Sequence, residues 1–329
     1  MFNNLVNLHD FVRLAEKVRT NGIRPLVSKL LSGDDERVEK TWEFHEPTAA
    51  HWYDIPAVLE RWNEKISGVK DIDSRSHVLR KYFESAGGLK AISLCCGAGS
   101  RELRWAQTGA FSEIDGYDLS ESRIEAASTK AAQANLGSVL RFHSGDVRSV
   151  LDGNKTYDII LAESALHHLT PLESLLQRVS LVLSGNGYFI VDEFVGPSRF
   201  QWTDAQLKAA NKLLQSLPES YRVFSDSKRI KNQIYRPGRL SMMMNDPSEA
   251  VESASIVPLI SKHFNVIESR PYGGNLLHLV FSDIAHHFLN DDLQTKDLLR
   301  RCFDAEDEFL SHEGVTSDFV FMVCKKLSA

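Results

Sequence analysis

Cysteine is scarce in this sequence, and a long hydrophobic run is missing. The 329 residues include four cysteines, Cys95, Cys96, Cys302 and Cys324. Their spacing contains neither a CxxC pair nor a cysteine–histidine arrangement suited to zinc, so we expect reduced thiols, as is usual inside cells. The N-terminal segment mixes acidic and apolar residues and lacks the continuous apolar stretch of a signal peptide or a membrane helix. We therefore predict a cytoplasmic protein without a membrane span.

Positive charge is not in excess either. The chain has 38 Lys and Arg residues against 44 Asp and Glu residues, a formal net charge of −6. This balance gives no general attraction to phosphate backbones, so we expect no general nucleic-acid binding. With 43% hydrophobic residues the chain is able to bury the core of one large domain.

The part of the chain before the first predicted strand has the spacing of helices. We predict an N-terminal helical extension over residues 1–45 and a helical cap over residues 46–88, because apolar residues recur there at helical intervals. The extension suits a docking arm or a homodimer contact. The cap suits a cover over a pocket.

From Leu89 onward, short apolar runs alternate with amphipathic segments. The runs LKAISLCC, EIDGYDLS, SVLRFHSGD, TYDIILAESA and GNGYFIVDEF are typical of strands, and the segments between them of helices. This alternation predicts βαβ units that build a parallel sheet covered on both faces. In such sheets ligands bind beyond the carboxyl ends of the strands, so we expect the site at residues that follow these runs.

A glycine-containing turn follows the first run. Gly97 and Gly99 permit positive φ angles and the close approach of another molecule. Glu102 stands where a nicotinamide-binding motif has its third glycine, which weakens the interpretation as a nicotinamide oxidoreductase. Asp118, at the end of the second run, suits either both hydroxyls of a ribose or a helix cap. Asp146, after the third run, suits either an adenine amino group or an ordinary turn.

In this order and at these intervals, AISLCCGAGS, GYDLS, HSGDV, YDIILAESALHHL and LSGNGYFIVDEF resemble the class I S-adenosylmethionine-dependent methyltransferases over about residues 89–195. The resemblance implies an α/β, Rossmann-like, seven-stranded and mostly parallel sheet flanked by helices, with an N-terminal helical cap and helical insertions in the C-terminal half. It implies S-adenosylmethionine as cofactor and S-adenosylhomocysteine as product. The residues that it assigns to the cofactor are Cys96, Gly97, Ala98, Gly99, Asp118, Leu119, Asp146, Val147 and Glu163.

The chain departs from the family pattern at two positions. Ser93 stands where the family has an acidic residue, and Cys95 stands where it has a glycine. Arg101 or Glu102 is a candidate to compensate for the missing acid. The departures keep a second interpretation open, a non-catalytic cofactor-binding or scaffold protein of the same fold. For both adjacent cysteines we favour packing over catalysis.

Methyl transfer from a sulfonium requires a nucleophile held in line with the methyl group, and a hydroxyl nucleophile also benefits from a general base. The candidates for this chemistry are Glu163, His167, His168 and Glu193, all at or just beyond predicted strand ends. Each also has a structural interpretation as a packed, capping or solvated side chain. Adjacent helical residues point about 100° apart, so we predict no metal site at the two histidines.

The remaining regions are assigned to the acceptor. We predict a substrate-pocket insertion over residues 196–263 and the last strands of the core, with a helical insertion, over residues 264–329. The candidate acceptor-binding residues are Arg199, Phe200, Trp202, Tyr235 and Arg236. Alternatively, Arg199 pairs with Glu193 or Asp204, and the aromatic rings fill the core.

Segments outside residues 89–195 resemble a bacterial group that is associated with small-molecule, saccharide or surface-glycan methylation. The leading hypothesis is therefore O-methylation of a small molecule or saccharide.

Overall fold

Seven strands form one sheet in the computed structural model, which describes residues 50–83, 87–153 and 155–327. The strands are β1 Leu89–Leu94, β2 Phe111–Asp118, β3 Leu140–Ser144, β4 Tyr157–Glu163, β5 Leu183–Phe194, β6 Phe264–Gly273 and β7 Phe319–Lys326. Their order is β3-β2-β1-β4-β5-β7-β6, and β7 runs antiparallel to both of its neighbours. The predicted extension over residues 1–45, with its dimer contact, lies outside the described residues.

The α-helices of the described chain surround this sheet. They are α1 Pro56–Ser67, α2 Ser74–Tyr82, α3 Ser100–Ala106, α4 Glu121–Gln133, α5 Val147–Val150, α6 Leu172–Val182, α7 Asp204–Ser216, α8 Arg239–Asn245, α9 Ile256–His263, α10 Leu277–Phe281 and α11 Leu293–Leu310. Helices α7 to α9 lie between β5 and β6, and α10 and α11 lie between β6 and β7. The predicted fold class is confirmed, with its helical cap and its C-terminal helical insertions.

Alternate residues of the central strands supply the two faces of the sheet. In β4, Ile160 and Ala162 pack on one face with α6 and α9, whereas Ile159 and Leu161 pack on the other with α1, α2 and α3. All four side chains are fully buried. Because a parallel sheet is covered on both sides, these strands read in the sequence as nearly continuous apolar runs.

A third apolar cluster joins the cap to the C-terminal insertions. Trp52 from the cap packs with Leu214 of α7, Leu277 of α10 and Leu299 of α11. The ring of Trp52 also lies 5.1 Å from that of Phe319, at the start of β7. Since β7 is antiparallel to β5, this start lies at the carboxyl edge of the parallel strands. Among the described helices, none has both the length and the apolar composition that crossing a membrane requires.

A buried carboxylate connects α2 to β6. Glu268 accepts hydrogen bonds from the Tyr82 hydroxyl at 2.6 Å, Arg270 Nε at 2.7 Å and Lys81 Nζ at 3.0 Å, and His77 Nε2 lies 3.1 Å away. Burial by itself raises the pKa of this carboxyl, but the four hydrogen-bonding partners outweigh it and lower the pKa to about 2. The charged form is therefore the one that the folded chain stabilises.

We expect Glu268→Gln to lower the free energy of unfolding at pH 7 by about 2 kcal/mol. An acid with a lowered pKa stabilises the fold above its unfolded-state pKa, and this stabilisation is lost as the pH falls toward about 2. Urea unfolding at pH 7 and at intervals below pH 4.5 measures the effect. The exposed Glu308→Gln is the control, and an equal loss in both variants would contradict the assignment.

Candidate active site

The carboxyl ends of β1, β2, β4 and β5 lie side by side at one edge of the sheet. The chain moves outward from β1 to β2 and β3, and then returns to the other side of β1 with β4 and β5. This reversal is the topological switch point where doubly wound sheets bind ligands. The residues that follow these four strands therefore define the candidate site.

The turn after β1 uses its two glycines differently. Both have positive φ angles, 54° at Gly97 and 72° at Gly99. A Cβ on Gly99 would lie 2.7 Å from Ala127 Cβ and 2.8 Å from Phe142 Cζ, whereas the nearest atom to one on Gly97 is Arg123 Nη1 at 3.4 Å. Gly99 is thus needed for packing of the turn against α4 and β3. At Gly97 the constraint is the positive φ, because the only nearby atom belongs to the end of an arginine side chain.

The cysteines and the alanine of this turn contribute in other ways. Cys95 packs against the core cluster on one face of the sheet, and Cys96 is half-buried. Burial raises the pKa of both thiols, so neither is held as a thiolate. The Ala98 carbonyl accepts a hydrogen bond from Lys130 Nζ at 3.1 Å.

The Asp118 carboxylate connects the turn after β1 to the turn after β2. Its Oδ2 accepts from the Gly97 amide at 2.9 Å, and its Oδ1 accepts from the Ser120 amide at 3.0 Å. Ser120, not Asp118, is the N-cap of α4. Each carboxylate oxygen has a second lone pair, so Asp118 retains acceptor capacity for a ligand. The neighbouring Leu119 is 44% exposed.

Asp146 caps the short helix α5. It accepts from the Arg148 amide at 2.9 Å and pairs with Arg148 Nε at 2.8 Å. Burial raises the pKa of this carboxyl, but the Arg148 hydrogen bonds outweigh it and lower the pKa. Val147 is buried. The turn alternative for Asp146 is thus realised, and its assignment to adenine stays a prediction.

A carboxylate from α3 lies beside the position where the family acid is missing. The Ser93 hydroxyl donates to Glu102 Oε1 at 2.6 Å. Glu102 is almost fully buried, and within the described residues its Oε2 has no hydrogen-bond partner. Burial raises the pKa of this carboxyl to about 7. Of the two residues proposed to compensate for Ser93, Glu102 is the one that reaches it.

Glu163, at the end of β4, is held by the helices around it. Its Oε2 accepts from Trp105 Nε1 at 3.0 Å, and its Oε1 lies 3.7 Å from Arg75 Nη1. Arg101 donates to the Glu163 carbonyl and, at 2.9 Å, to the Ser164 hydroxyl. The side chain of Glu163 is therefore held by polar contacts with α2 and α3, and its roles toward the cofactor and in catalysis stay predictions.

Two candidate catalytic residues form one buried hydrogen-bonded unit. Glu193, fully buried near the end of β5, accepts through Oε1 from the amides of Ala165 and Leu166, the latter at 2.6 Å. Its Oε2 lies 2.6 Å from His167 Nδ1. The other ring nitrogen of His167, Nε2, lies 3.7 Å from Glu249 Oε1. His167 thus stands between two carboxylates, on a 3₁₀ turn that spans Leu166–His168.

The two carboxylates and the second histidine set the electrostatics of this unit. Burial lowers the pKa of His167, but the adjacent Glu193 carboxylate outweighs it, so the pKa is raised. Burial raises the pKa of Glu249 to about 7, although His167 acts in the opposite direction. Burial and the neighbouring His167 lower the pKa of His168 far below its usual range. Groups with such perturbed pKa values at a strand edge are typical of functional sites.

Sequence reasoning missed Glu249. It lies between α8 and α9, about 80 residues after His167, and no spacing or motif connects the two. The Arg199 guanidinium fixes the backbone here by donating to the carbonyls of Glu249 at 3.1 Å and Asp246 at 3.5 Å. The Arg199 guanidinium is thus already hydrogen bonded within the insertion. Its assignment to an acceptor stays a prediction.

The other candidate acceptor-binding residues lie in the same insertion. Phe200 stacks on Trp202, with ring centroids 5.3 Å apart and an interplanar angle of 11°. Arg236 donates to the Trp202 carbonyl at 2.7 Å and pairs with Asp204 at 2.5 Å. Tyr235 is 43% exposed, whereas Trp202 is buried.

Residues 85–247 match the family described as "Methyltransferase domain". With the seven-stranded sheet and its switch point, this match identifies residues 85–247 as a domain of the class I S-adenosylmethionine-dependent methyltransferases. The predicted family is therefore confirmed, and so is S-adenosylmethionine as the cofactor of that family.

Similar proteins are found among enzymes and solved structures. The chain is 26% identical over 148 residues to the ubiquinone biosynthesis O-methyltransferase of Rhodopseudomonas palustris strain BisA53, covering 44% of this chain and 56% of the relative. It is 25% identical over 141 residues to the erythromycin 3''-O-methyltransferase of Saccharopolyspora erythraea, covering 42% and 45%. The chain thus spans about half the length of the curated relatives it matches.

One solved structure supports the fold across most of the chain. It is the geranyl diphosphate C-methyltransferase from Streptomyces coelicolor A3(2), with a TM-score of 0.51 and 12% identity. The match covers 90% of this chain and 99% of that one. The shared architecture therefore extends beyond the cofactor-binding strands.

We expect Gly99→Ala to lower the free energy of unfolding by about 2–4 kcal/mol, because it adds a steric clash to a strained positive φ. Gly97→Ala is the matched control. It carries a similar φ but meets no atom closer than 3.4 Å, so we expect about 1–2 kcal/mol. Urea unfolding measures both values. Equal losses would show that packing against Ala127 and Phe142 contributes nothing.

Proposed function

We propose that this protein is an S-adenosylmethionine-dependent methyltransferase that methylates a hydroxyl group of a small molecule. The observation that carries the proposal is a juxtaposition at one edge of the sheet. The turn after β1, fastened by Asp118, lies beside the loop after β4, where Glu193 holds His167. The turn after β1 suits a cofactor, and the pair of Glu193 and His167 suits the activation of an acceptor.

The cofactor half of the proposal rests on the turns after β1, β2 and β3. Gly97 offers a backbone without a side chain, and Asp118 offers carboxylate oxygens oriented by two amides. Leu119 offers an exposed apolar side chain next to Asp118. A nucleoside with a ribose diol and a flat base fits this combination of polar and apolar groups.

The acceptor half rests on the buried pair of Glu193 and His167. The carboxylate fixes the ring through Nδ1, so Nε2 is the atom that faces the acceptor side, toward Glu249. A hydroxyl is a poor nucleophile until its proton is removed, and a histidine oriented by a carboxylate is suited to assist that step. The cofactor supplies the methyl group. The protein holds the acceptor oxygen in line with it and excludes water.

Oxygen is preferred as the methylated atom because two relatives are named O-methyltransferases. The name of one of them specifies the 3'' position of erythromycin. We therefore propose a small-molecule or saccharide hydroxyl as the acceptor. Trp202 is buried in the apolar cluster, so of the two aromatic candidates the partly exposed Phe200 is the ring that supports a flat or sugar-like acceptor.

We expect calorimetric titration to show binding of S-adenosylmethionine and S-adenosylhomocysteine, and no binding of NADH. Asp118→Ala is expected to weaken both affinities roughly tenfold to a hundredfold, because charge-assisted hydrogen bonds are lost. Asp118→Asn, which keeps one acceptor oxygen, should fall in between. Asp297→Ala, an exposed charge change on α11, serves as the control and should bind as the unmodified chain does.

Two outcomes would contradict the cofactor assignment. One is binding of NADH in preference to S-adenosylmethionine. The other is a folded protein that binds neither sulfonium nor product, which would favour the scaffold interpretation raised by Ser93 and Cys95.

We expect formation of S-adenosylhomocysteine with hydroxyl-bearing acceptors from a panel of phenols and saccharides. His167→Gln should lower kcat about 10²- to 10⁴-fold, the usual contribution of a proton-transferring group, while the Kd of S-adenosylmethionine stays within threefold. His286→Gln, in another adjacent histidine pair of the chain, is the control. Unchanged kcat in His167→Gln would remove this residue from the mechanism.

A further inference from the structure

The two adjacent histidines converge instead of pointing apart. His167 and His168 lie on a 3₁₀ turn, and their ring centroids are 4.1 Å apart with an interplanar angle of 44°. The separation of about 100° that predicts no metal site holds for the backbone of a regular α-helix, whereas these residues lie on a short 3₁₀ turn. The side-chain rotamers bring the rings together on the side of the turn that faces Glu249.

Together with Glu249, these histidines present three ligand atoms to one point. One nitrogen from each ring and one carboxylate oxygen all lie within 4.8 Å of one another, and His167 Nε2 is 3.7 Å from Glu249 Oε1. Ligands of a bound divalent ion lie about 2.0–2.2 Å from it. The side chain of Glu249 is 21% exposed, and binding a cation requires a change of its rotamer that closes the remaining distance.

Neighbouring residues hold two of these three side chains in place, as the ligands of metal sites are usually held. Glu193 occupies Nδ1 of His167 at 2.6 Å, which leaves Nε2 as the coordinating nitrogen. A ligating histidine whose other nitrogen contacts a carboxylate is the usual outer arrangement of metal sites. On the opposite side, the Arg199 guanidinium donates to the carbonyl of Glu249, and the Arg199 amide donates to that of Ala250, so the backbone of this ligand is held.

From this geometry we infer that His167, His168 and Glu249 form a binding site for one divalent transition-metal cation. Two imidazoles and one carboxylate suit Zn²⁺, Co²⁺ or Fe²⁺ better than Mg²⁺ or Ca²⁺, which prefer oxygen ligands. Three protein ligands leave coordination positions open to an oxygen donor. Glu193 is the positioning residue of the site, since it orients His167 without reaching the cation.

The inference that a cation binds here is independent of the proposed function. The chemical role of the cation, in contrast, rests on the proposed function. A cation here lies where the acceptor hydroxyl is proposed to meet His167. Coordination would make the acceptor hydroxyl more acidic, so that it would release its proton to water without a protein base. His167 then serves as a ligand.

The test measures metal binding by the full chain, without cofactor or acceptor, so its outcome is separate from that of the methyl-transfer assay. Chelator-treated protein is titrated with Zn²⁺ by calorimetry, and with Co²⁺ by visible absorption. We expect one cation per chain. His168→Gln and Glu249→Gln should each weaken Zn²⁺ binding at least tenfold, and Glu193→Gln should weaken it roughly tenfold although it removes no ligand.

The chain offers a matched control for the histidine pair. His286 and His287 also lie on a 3₁₀ turn, with ring centroids 3.8 Å apart, but within the described residues they are not part of a group of three metal-ligating side chains. We expect His286→Gln to bind Zn²⁺ within twofold of the unmodified chain. Thermal unfolding verifies that each variant is folded. His168 and Glu249 are partly exposed, so their variants give two independent measurements of Zn²⁺ binding.

Three outcomes would overturn the inference. The first is no Zn²⁺ or Co²⁺ binding by the unmodified chain. The second is an affinity that His168→Gln and Glu249→Gln leave unchanged or that His286→Gln abolishes. The third is a thiolate-to-cobalt charge-transfer band, which would assign the metal to a cysteine such as Cys95 or Cys96 instead of to this cluster.

Discussion

The buried carboxylate of Glu193 is the constraint on which the arrangement of the site depends. A fully desolvated carboxylate is stable only when its lone pairs are satisfied, and three donors from the loop after β4 do this. The same contacts fix the 3₁₀ turn that carries His167 and His168. The end of β5 thereby determines where the side chains after β4 point, and Glu249 approaches them from a distant insertion.

A second carboxylate organises the other half of the edge. Asp118 accepts from the amides of Gly97 and Ser120, so the turns after β1 and β2 keep one relative position. Beneath them, Glu102 reaches back from α3 to Ser93. Ser93 replaces the acidic residue that the family carries on β1, but the carboxyl group of Glu102 lies beside it. The departure at position 93 is thus accompanied by a carboxyl group supplied from α3.

Much of the fold was predictable, because parallel strands covered on both faces leave apolar runs that alternate with amphipathic helices. The positions of the residues proposed for the cofactor were predictable for a related reason, since Asp118 ends β2 and Gly97 and Asp146 lie in the turns after β1 and β3. The residues on the acceptor side were harder to predict from the sequence. Arg199 and Arg236 were candidates for binding the acceptor, but their guanidinium groups are hydrogen bonded within the insertion, to carbonyls and to Asp204. The local sequence does not show which acceptor group a long, flexible arginine side chain will bind.

The sequence by itself determined the order of strands and helices and the residues at the strand ends, because these depend on local periodicity and on short spacings. The family followed from the resemblance of its motifs to known methyltransferases. Only the tertiary structure decided that Glu193 binds His167, that Glu249 faces the same ring and that the two adjacent histidines converge. The contacts of His167 with Glu193 and Glu249 join residues 26 and about 80 positions apart. They depend on how buried charges are satisfied once the sheet has brought distant loops to one edge, and no local pattern encodes that choice.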